Sequence, residues 1–171
     1  TGMADDHMHV AAGSDGTLYF SVKTSYDTAP YPRMAFLVRR PAGTWDNIYD
    51  IDVAGTRPIV LLNEAKGIVT VLYSSVEGGG NILYRQSYIS PISFGPVRTL
   101  MSGTNNNVTS TKQNYTDRVV IFAGNGTSIS GVIANATTLR DSLVAYWAMN
   151  DTAGAVLVDS SMRGNNGIIT H

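Results

Sequence analysis

Residues 57–75, RPIVLLNEAKGIVTVLYSS, contain the pattern that decides the fold. The two apolar runs IVLL and IVTVLY are rich in β-branched side chains, which favours strands over helices. Between them stands the short segment Glu64-Ala65-Lys66-Gly67, which ends in glycine as turns often do. The stretch therefore predicts a β-hairpin whose strands carry apolar side chains on both faces.

The same order of strands is found about fifty residues earlier. HMHVAAG precedes the turn Ser14-Asp15-Gly16, TLYFSVKTSY follows it, and two more strands come next, RMAFLVRRP and TWDNIYDI. After the second hairpin the corresponding strands are NILYRQSYI and SFGPVRTL. Gly16 aligns with Gly67 at an offset of 51, and Trp45 aligns with Phe94 at an offset of 49. A four-stranded unit therefore repeats along the chain.

A four-stranded unit that repeats every 40–50 residues is typical of the blades of a β-propeller. One such blade has two apolar faces, and neighbouring blades cover them. We expect Trp45 and Phe94 to lie at matching positions near the outer strand and to pack between blades. The predicted fold class is all-β, built of four-stranded antiparallel blades. A two-sheet sandwich with recurring strands is the alternative that the pattern leaves open.

A third repeat contains NNVTSTKQ, RVVIFAGNG and SISGVIA, but the following NATTLRDS supplies no fourth strand. We therefore predict a partial propeller over residues 1–138, with a linker and the truncated start of a second domain over 139–171. The predicted blades are at about 5–52, 57–101 and 107–134. Because a propeller needs at least four blades, two and two-thirds blades predict part of a larger ring. The remaining blades would come from the parent chain or from other copies.

Composition excludes several classes of function. Charged residues make up 15% of the chain and the net charge is −1, so no basic stripe exists for a nucleic acid. No apolar run approaches the roughly 20 residues that span a bilayer. Few charges with abundant Thr, Asn and Gly predict an extracellular or cell-surface location. Five Asn-x-Thr triplets are candidate glycosylation sites, although Asn- and Thr-rich loops also produce such triplets by chance: Asn107, Asn114, Asn125, Asn135 and Asn150.

The densest polar cluster is DDHMH, residues 5–9, at the entry to the innermost strand of its blade. His7 and His9 are two residues apart, so in a strand their side chains point the same way. Together with Asp6 they are candidate catalytic residues, because imidazoles beside acids can transfer protons near neutral pH or hold a metal. A structural role is the favoured alternative, since nothing in the second blade repeats the cluster.

The tail LVAYWAMNDTAGAVLVDSSMRGNNGIIT (143–170) resembles the first two strands of a laminin-G-like, concanavalin-type jelly-roll domain. The matching residues include Tyr146, Trp147 and the segment Gly164–Gly167, whereas Met162 and Arg163 depart from the family's usual Gly-Asn pair. The resemblance implies a parent protein in which a propeller precedes a lectin-like sandwich that binds carbohydrate or a surface protein. It also implies Ca²⁺ as the one ion to consider, with Asp151 and Asp159 as candidate ligands. Turn capping is the favoured role of both aspartates, and no other cofactor is expected.

The propeller part is similar, more loosely, to sialidase-type (BNR, or Asp-box) propellers. GSDGTLYF contains Ser14, Asp15 and Gly16 but lacks the spacing and the tryptophan of the Asp box, so we interpret it as a tight hairpin turn. Three tyrosines are candidate sugar-stacking residues, although packing between blades is the favoured role: Tyr19, Tyr73 and Tyr84.

Three functions remain open at this point. The sequence favours a non-catalytic carbohydrate- or protein-binding module for adhesion in a large secreted or cell-surface protein. A glycan-active enzyme, a lyase or glycosidase acting through His7 or His9, is the alternative from another class. A structural component of a surface layer or filament is the third.

Overall fold

The computed structural model describes residues 5–26, 28, 30–135, 143–147, 156–158 and 166–168. The first sheet has the order β1-β2-β3-β4 and all its strand pairs are antiparallel. Its strands are β1 (Met8–Ala12), β2 (Leu18–Lys23), β3 (Met34–Arg39) and β4 (Tyr49–Asp52). This sheet is the first blade, and it confirms the order of strands that the sequence predicts for residues 5–52.

A seven-stranded antiparallel sheet follows, in the order β11-β10-β9-β8-β7-β6-β5. Its first half contains β5 (Thr56–Asn63), a 3₁₀ turn (Glu64–Lys66), β6 (Ile68–Ser74) and β7 (Gly80–Tyr88). Its second half contains β8 (Arg98–Ser110), β9 (Arg118–Gly124), β10 (Ile129–Asn135) and β11 (Leu143–Trp147). A separate two-stranded sheet pairs β12 (Val156–Leu157) with β13 (Gly167–Ile168).

Strand β8 belongs to two blades. Its first part pairs with β7, as in Met101 opposite Ile82, and its last part pairs with β9, as in Ser110 opposite Ile121. On either side of this change of partner the backbone has positive φ, at Gly103 (125°) and at Asn107 (48°), and the pairing is irregular. The second blade is therefore β5, β6, β7 and the start of β8, and the third blade is the end of β8 with β9, β10 and β11.

Two hydrophobic clusters show how the blades are stacked. One contains Phe36 and Ile51 of the first blade together with Val60, Val71 and Tyr73 of the second. The other contains residues of the second and third blades and Tyr115 of the loop between β8 and β9: Ile59, Leu61, Leu72, Ile82, Tyr84, Met101, Val108, Tyr115, Val119, Ile121, Ala123, Val132 and Ala134. Neighbouring residues of β5 and β6 alternate between the clusters, as side chains on a strand must. The second blade is therefore buried on both faces, and the fold is all-β and propeller-like.

The turns between paired strands have the expected chemistry. The Asp15 carboxylate accepts hydrogen bonds from the backbone N–H and the hydroxyl of Thr17, at 2.8 and 2.9 Å, and Gly16 has a φ of 86°. Gly67, which aligns with Gly16, caps the 3₁₀ turn with a φ of 62°. Glycine supplies the left-handed conformation at both places.

One prediction about the blades needs correction. The third blade has a fourth strand, because Leu143–Trp147 pairs with β10, as in Tyr146 opposite Val132. This strand lies within the tail that resembles a laminin-G-like domain. That resemblance assigned it to the second domain, although it belongs to the third blade. Phe94 does pack between blades, with its ring 5.1 Å from that of Phe36. Trp45, the aligned aromatic, is 55% exposed and its ring lies 5.5 Å from that of Phe20 in its own blade, so its packing between blades stays a prediction.

The proposed division of the chain at residue 138 remains a prediction. Among the described residues no helix is both long and apolar enough to cross a membrane.

Burial on both faces of β5 makes a direct prediction. Leu61 and Leu62 are adjacent, fully buried and assigned to different clusters. Leu61→Ala and Leu62→Ala should each lower the free energy of unfolding by about 2–5 kcal/mol, because each leaves a cavity in a separate core. Urea unfolding measures both values, with the exposed Val97→Ala as the control. A sheet with one solvent-facing side would tolerate one of the two substitutions.

The pairing of β10 with β11 predicts the effect of a truncation. A chain ending at Asn135 should unfold at a lower urea concentration than the full chain, because β10 loses its hydrogen-bonded neighbour and becomes an open edge. Equal midpoints for the two chains would show that residues 136–171 fold independently of the third blade.

Candidate functional site

The predicted cluster DDHMH lies where the first blade meets the second. Asp5, Asp6 and His7 precede β1, and they lie beside the end of β2 because the backbone N–H of Lys23 donates to the carbonyl of His7 at 2.9 Å. The backbone N–H of Asp5 in turn donates to the carbonyl of Lys23 at 2.8 Å. These two bonds extend the β1–β2 pairing and hold the acidic segment against the buried side of β2.

Lys23 is the centre of this cluster. Its side chain is only 6% exposed, and its ammonium lies 2.9 Å from Asp5 Oδ2, 3.2 Å from Asp6 Oδ1 and 3.3 Å from Glu77 Oε1. The hydrogen bond to Asp5, with those to Asp6 and Glu77, raises the pKa of Lys23 against the opposing effect of burial. Burial opposes ionisation of Asp6, but its hydrogen bonds with His7 and Lys23 together lower its pKa. A buried ammonium surrounded by carboxylates is a satisfied structural charge.

Glu77 comes from the β6–β7 loop and connects the blades. Its second carboxylate oxygen lies 3.6 Å from Arg33 Nη2, and its backbone carbonyl accepts a hydrogen bond from Arg57 Nη1 at 3.0 Å. Beside it is an open cleft of about 210 Å³, which we call the seam cleft; it is lined by Arg33, Val53, Ala54, Gly55, Ser75, Val76 and Glu77. The cleft therefore combines charged side chains from both blades with the segment that links them.

His9 takes part in packing between blades. Its Nδ1 accepts a hydrogen bond from the backbone N–H of Val60 at 3.1 Å, and its Nε2 lies 3.4 Å from the side-chain amide of Gln113. Burial lowers the pKa of His9, so the ring is neutral at pH 7. Because Nδ1 accepts, the proton of the neutral ring is on Nε2. The ring joins β1 to β5 and to the segment after β8, and it has no nitrogen free to accept a proton from a substrate.

The two histidines therefore do not form a shared site. His7 bonds to its neighbour Asp6, whereas His9 bonds to the second blade. The acids beside them are bound to Lys23. Among the described residues no group of three or more His, Asp or Glu is placed to hold a metal ion. Asp151 and Asp159 lie outside the described residues, so their role as Ca²⁺ ligands stays a prediction.

The three candidate sugar-stacking tyrosines are in the core. Tyr19, Tyr73 and Tyr84 are at most 4% exposed, so a sugar cannot reach their rings in this structure. Tyr19 packs on Phe36, with the ring centroids 6.2 Å apart. The Tyr73 hydroxyl donates to Asp52 Oδ2 at 2.6 Å, and burial together with this bond raises the pKa of Tyr73. All three tyrosines belong to the clusters shared by neighbouring blades, which agrees with the packing role that the sequence favours.

The candidate glycosylation sites differ in accessibility. Asn107, Asn114 and Asn125 are exposed, and Asn135 is half-buried in β10. The Asn114 side chain donates to the carbonyl of Ala12 at 2.8 Å, so it is engaged within the fold. The Thr127 hydroxyl of the third triplet donates to Asn125 Oδ1 at 3.0 Å. Asn150 lies outside the described residues, and use of these sites stays a prediction.

Sequence reasoning missed Lys23, Arg33 and Glu77. One signal was present: Lys23 follows Tyr19 and Ser21 on alternate positions of β2, which places it on the buried face. A lysine there requires acidic partners, and the DDHMH segment supplies two of them. The third, Glu77, is fifty-four residues away in sequence, and only the stacking of the blades brings it close.

Comparison with known proteins bears on the fold. One solved structure with a similar fold is exo-β-1,3-galactanase from Phanerochaete chrysosporium, determined with galactose; its TM-score is 0.51 and its sequence identity is 12%. The similarity covers 91% of this chain but only 43% of the galactanase chain. At this identity the likeness concerns the fold alone. No family model matches the sequence, and no curated protein matches it.

The environment of His9 predicts how stability depends on pH. The folded protein holds His9 neutral with a pKa below its ordinary value of 6.5, so this group contributes stability above pH 6.5 that is lost as pH falls through the folded pKa. Protonation of Nδ1 would also break its bond to Val60. The free energy of unfolding should therefore decrease between pH 7 and 5, and His9→Ala should reduce that slope. Urea unfolding at several pH values measures it, with His7→Ala as the matched control. Equal slopes in wild type and His9→Ala would refute this role.

Proposed function

We propose that this chain is a non-catalytic carbohydrate-binding module of a secreted or cell-surface protein, and that the seam cleft is its binding site. The observation that carries the proposal is the seam cleft itself, an open cleft bordered by the charged side chains of Arg33 and Glu77 from adjacent blades. Binding is favoured over catalysis because His9 and the acids of the DDHMH segment are engaged in structural bonds.

The chemistry of the seam cleft suits hydroxyl groups. Glu77 is half-exposed, with 52% of its side chain accessible, and its carboxylate is oriented from one side by Lys23 and from the other by Arg33. A carboxylate and a guanidinium fixed side by side can accept from and donate to vicinal hydroxyls, and charge-assisted hydrogen bonds are the strong ones. The cleft is smaller than the roughly 300–1,000 Å³ of pockets for drug-sized ligands, so it suits one sugar unit of a longer chain.

The fold comparison suggests which sugars to test first. The similar structure is a galactanase determined with galactose, and its printed name specifies β-1,3 linkages. Galactose and β-1,3-linked galacto-oligosaccharides are therefore the first probes for this chain. The proposal does not assign this chain the activity of that enzyme.

The finer family resemblances belong to the same proposal. We interpret the parent as a sialidase-type propeller followed by a laminin-G-like sandwich, with adhesion to carbohydrate or surface protein as its role. The support is the motif in residues 143–170, in particular Gly164–Gly167, since Tyr146 and Trp147 lie in the fourth strand of the third blade. A role in a surface layer or filament is compatible with the same architecture.

The binding site is tested by titrating β-1,3-galacto-oligosaccharides into the protein and measuring heat or intrinsic fluorescence. Arg33→Ala should weaken binding roughly 10- to 150-fold, because a hydrogen bond from a charged group contributes about 1.5–3 kcal/mol. Arg98→Ala, an exposed arginine on β8 away from the seam cleft, is the matched control and should bind normally.

Thermal unfolding of both variants establishes that each is folded before its affinity is interpreted. Absence of binding to these probes and to a broad glycan array would overturn the proposed function. Release of shorter sugars by the wild-type protein would overturn its non-catalytic part and favour an enzyme. Equal weakening by Arg98→Ala would place the site elsewhere.

A further inference from the structure

The seam cleft has apolar lining residues as well as charged ones. Besides Arg33 and Glu77, its lining includes Val53, Ala54 and Val76. Val53 is 57% exposed and Val76 is 53% exposed. A single exposed valine is ordinary on a protein surface, but two that line the same small cleft offer an apolar surface to a ligand. We call Val53, Ala54 and Val76 the valine wall.

The backbone behind the valine wall is closely packed. A Cβ at Gly55, which has a φ of 109°, would lie 2.7 Å from the ring of Tyr73, so only glycine allows the linker to approach the second blade this closely. On the other side of the cleft, a Cβ at Gly80 would lie 3.1 Å from Val76 Cγ2. The side chain of Val76 therefore leans on the start of β7. A surface that is fixed before binding costs a ligand little ordering.

The two kinds of lining set different demands on a sugar. Arg33 and Glu77 can exchange hydrogen bonds with vicinal hydroxyls, as the proposed function requires. A hydroxyl turned towards the valine wall would lose water without gaining a hydrogen bond from these side chains, which is unfavourable. A methyl group in that position gains from the burial of apolar surface. The best ligand therefore carries hydroxyls on one edge and a methyl group beside them.

We infer that the seam cleft selects sugar units that carry a methyl group next to vicinal hydroxyls, with the methyl group against the valine wall. This inference rests on the proposed function and names the class of sugar. Two kinds of sugar share the required chemistry. A 6-deoxyhexose has a methyl group in place of the hydroxymethyl group, and an N-acetylhexosamine has one in its acetamido group.

Calorimetric titration of three free sugars into the full chain tests the inference. Galactose, 6-deoxygalactose and N-acetylgalactosamine differ from one another only in the groups that carry or lack the methyl. The wild-type protein should bind at least one of the two methyl-bearing sugars about fourfold or more tightly than galactose, because burial of one methyl-sized group contributes about that factor. The tighter of the two identifies which methyl group meets the valine wall.

Threonine substitutions test the wall itself. Threonine keeps the branched shape of valine and replaces one methyl group by a hydroxyl, so the double variant Val53→Thr/Val76→Thr should bind the methyl-bearing sugars and galactose equally. Its affinity for galactose should stay within about twofold of wild type. Val97→Thr, at a valine that is 43% exposed in the loop before β8, is the matched control and should keep the preference. Thermal unfolding verifies that both variants are folded.

The outcomes separate this inference from the proposed function. Absence of binding to all three sugars and to the galacto-oligosaccharides would defeat the proposed function and this inference with it. Binding that Arg33→Ala weakens, but that is equal for the three sugars or strongest for galactose, would overturn this inference alone. A methyl preference that survives in the double threonine variant would also overturn it, because the preference would then arise at other residues.

Discussion

The structure depends on the second blade being buried on both of its faces. In β5 and β6 successive residues are assigned to opposite clusters, and Val60, Leu61, Leu62, Val71 and Leu72 are fully buried. A single sheet cannot achieve this alone, because one of its faces would meet water. The first and third blades supply the two covering surfaces, so none of the three units has a complete core without its neighbour.

Stacking of this kind creates a second requirement at the seams, where polar backbone groups are withdrawn from water. Long polar side chains meet it by crossing between blades. Arg85 donates to the carbonyls of Asp50 and Ile51 at 3.1 and 2.7 Å, Glu64 accepts from the backbone and hydroxyl of Ser14, and His9 accepts from Val60. The catalytic candidates His9 and Asp6 form structural hydrogen bonds and ion pairs of this kind, because leaving a buried polar group unpaired is costly.

Local sequence patterns were sufficient to predict most of the fold. Most of the strands follow from apolar runs between turn residues, and the offset between Gly16 and Gly67 reveals the repeat. The double role of β8 could not be read in this way, because its change of partner depends on positive φ at Gly103 and Asn107 and on no apolar pattern. The same limit applies to the site: Asp5 and Asp6 stand out locally, but their partners Lys23 and Glu77 become visible only when two strands and two blades are brought together.

The position of the seam cleft follows from the same constraint. Where the faces of two blades are in full contact, side chains fill the space and leave no room for a ligand. Open volume remains where the blades meet through loops. At this place Val53, Ala54 and Gly55 link the two blades, and Glu77 belongs to the β6–β7 loop. Glu77 and Arg33, whose ion pair joins the blades, thus border the space that the stacking leaves open. The groups that the proposed binding would use, Arg33 and Glu77, are therefore the same groups that hold the two blades together at this point.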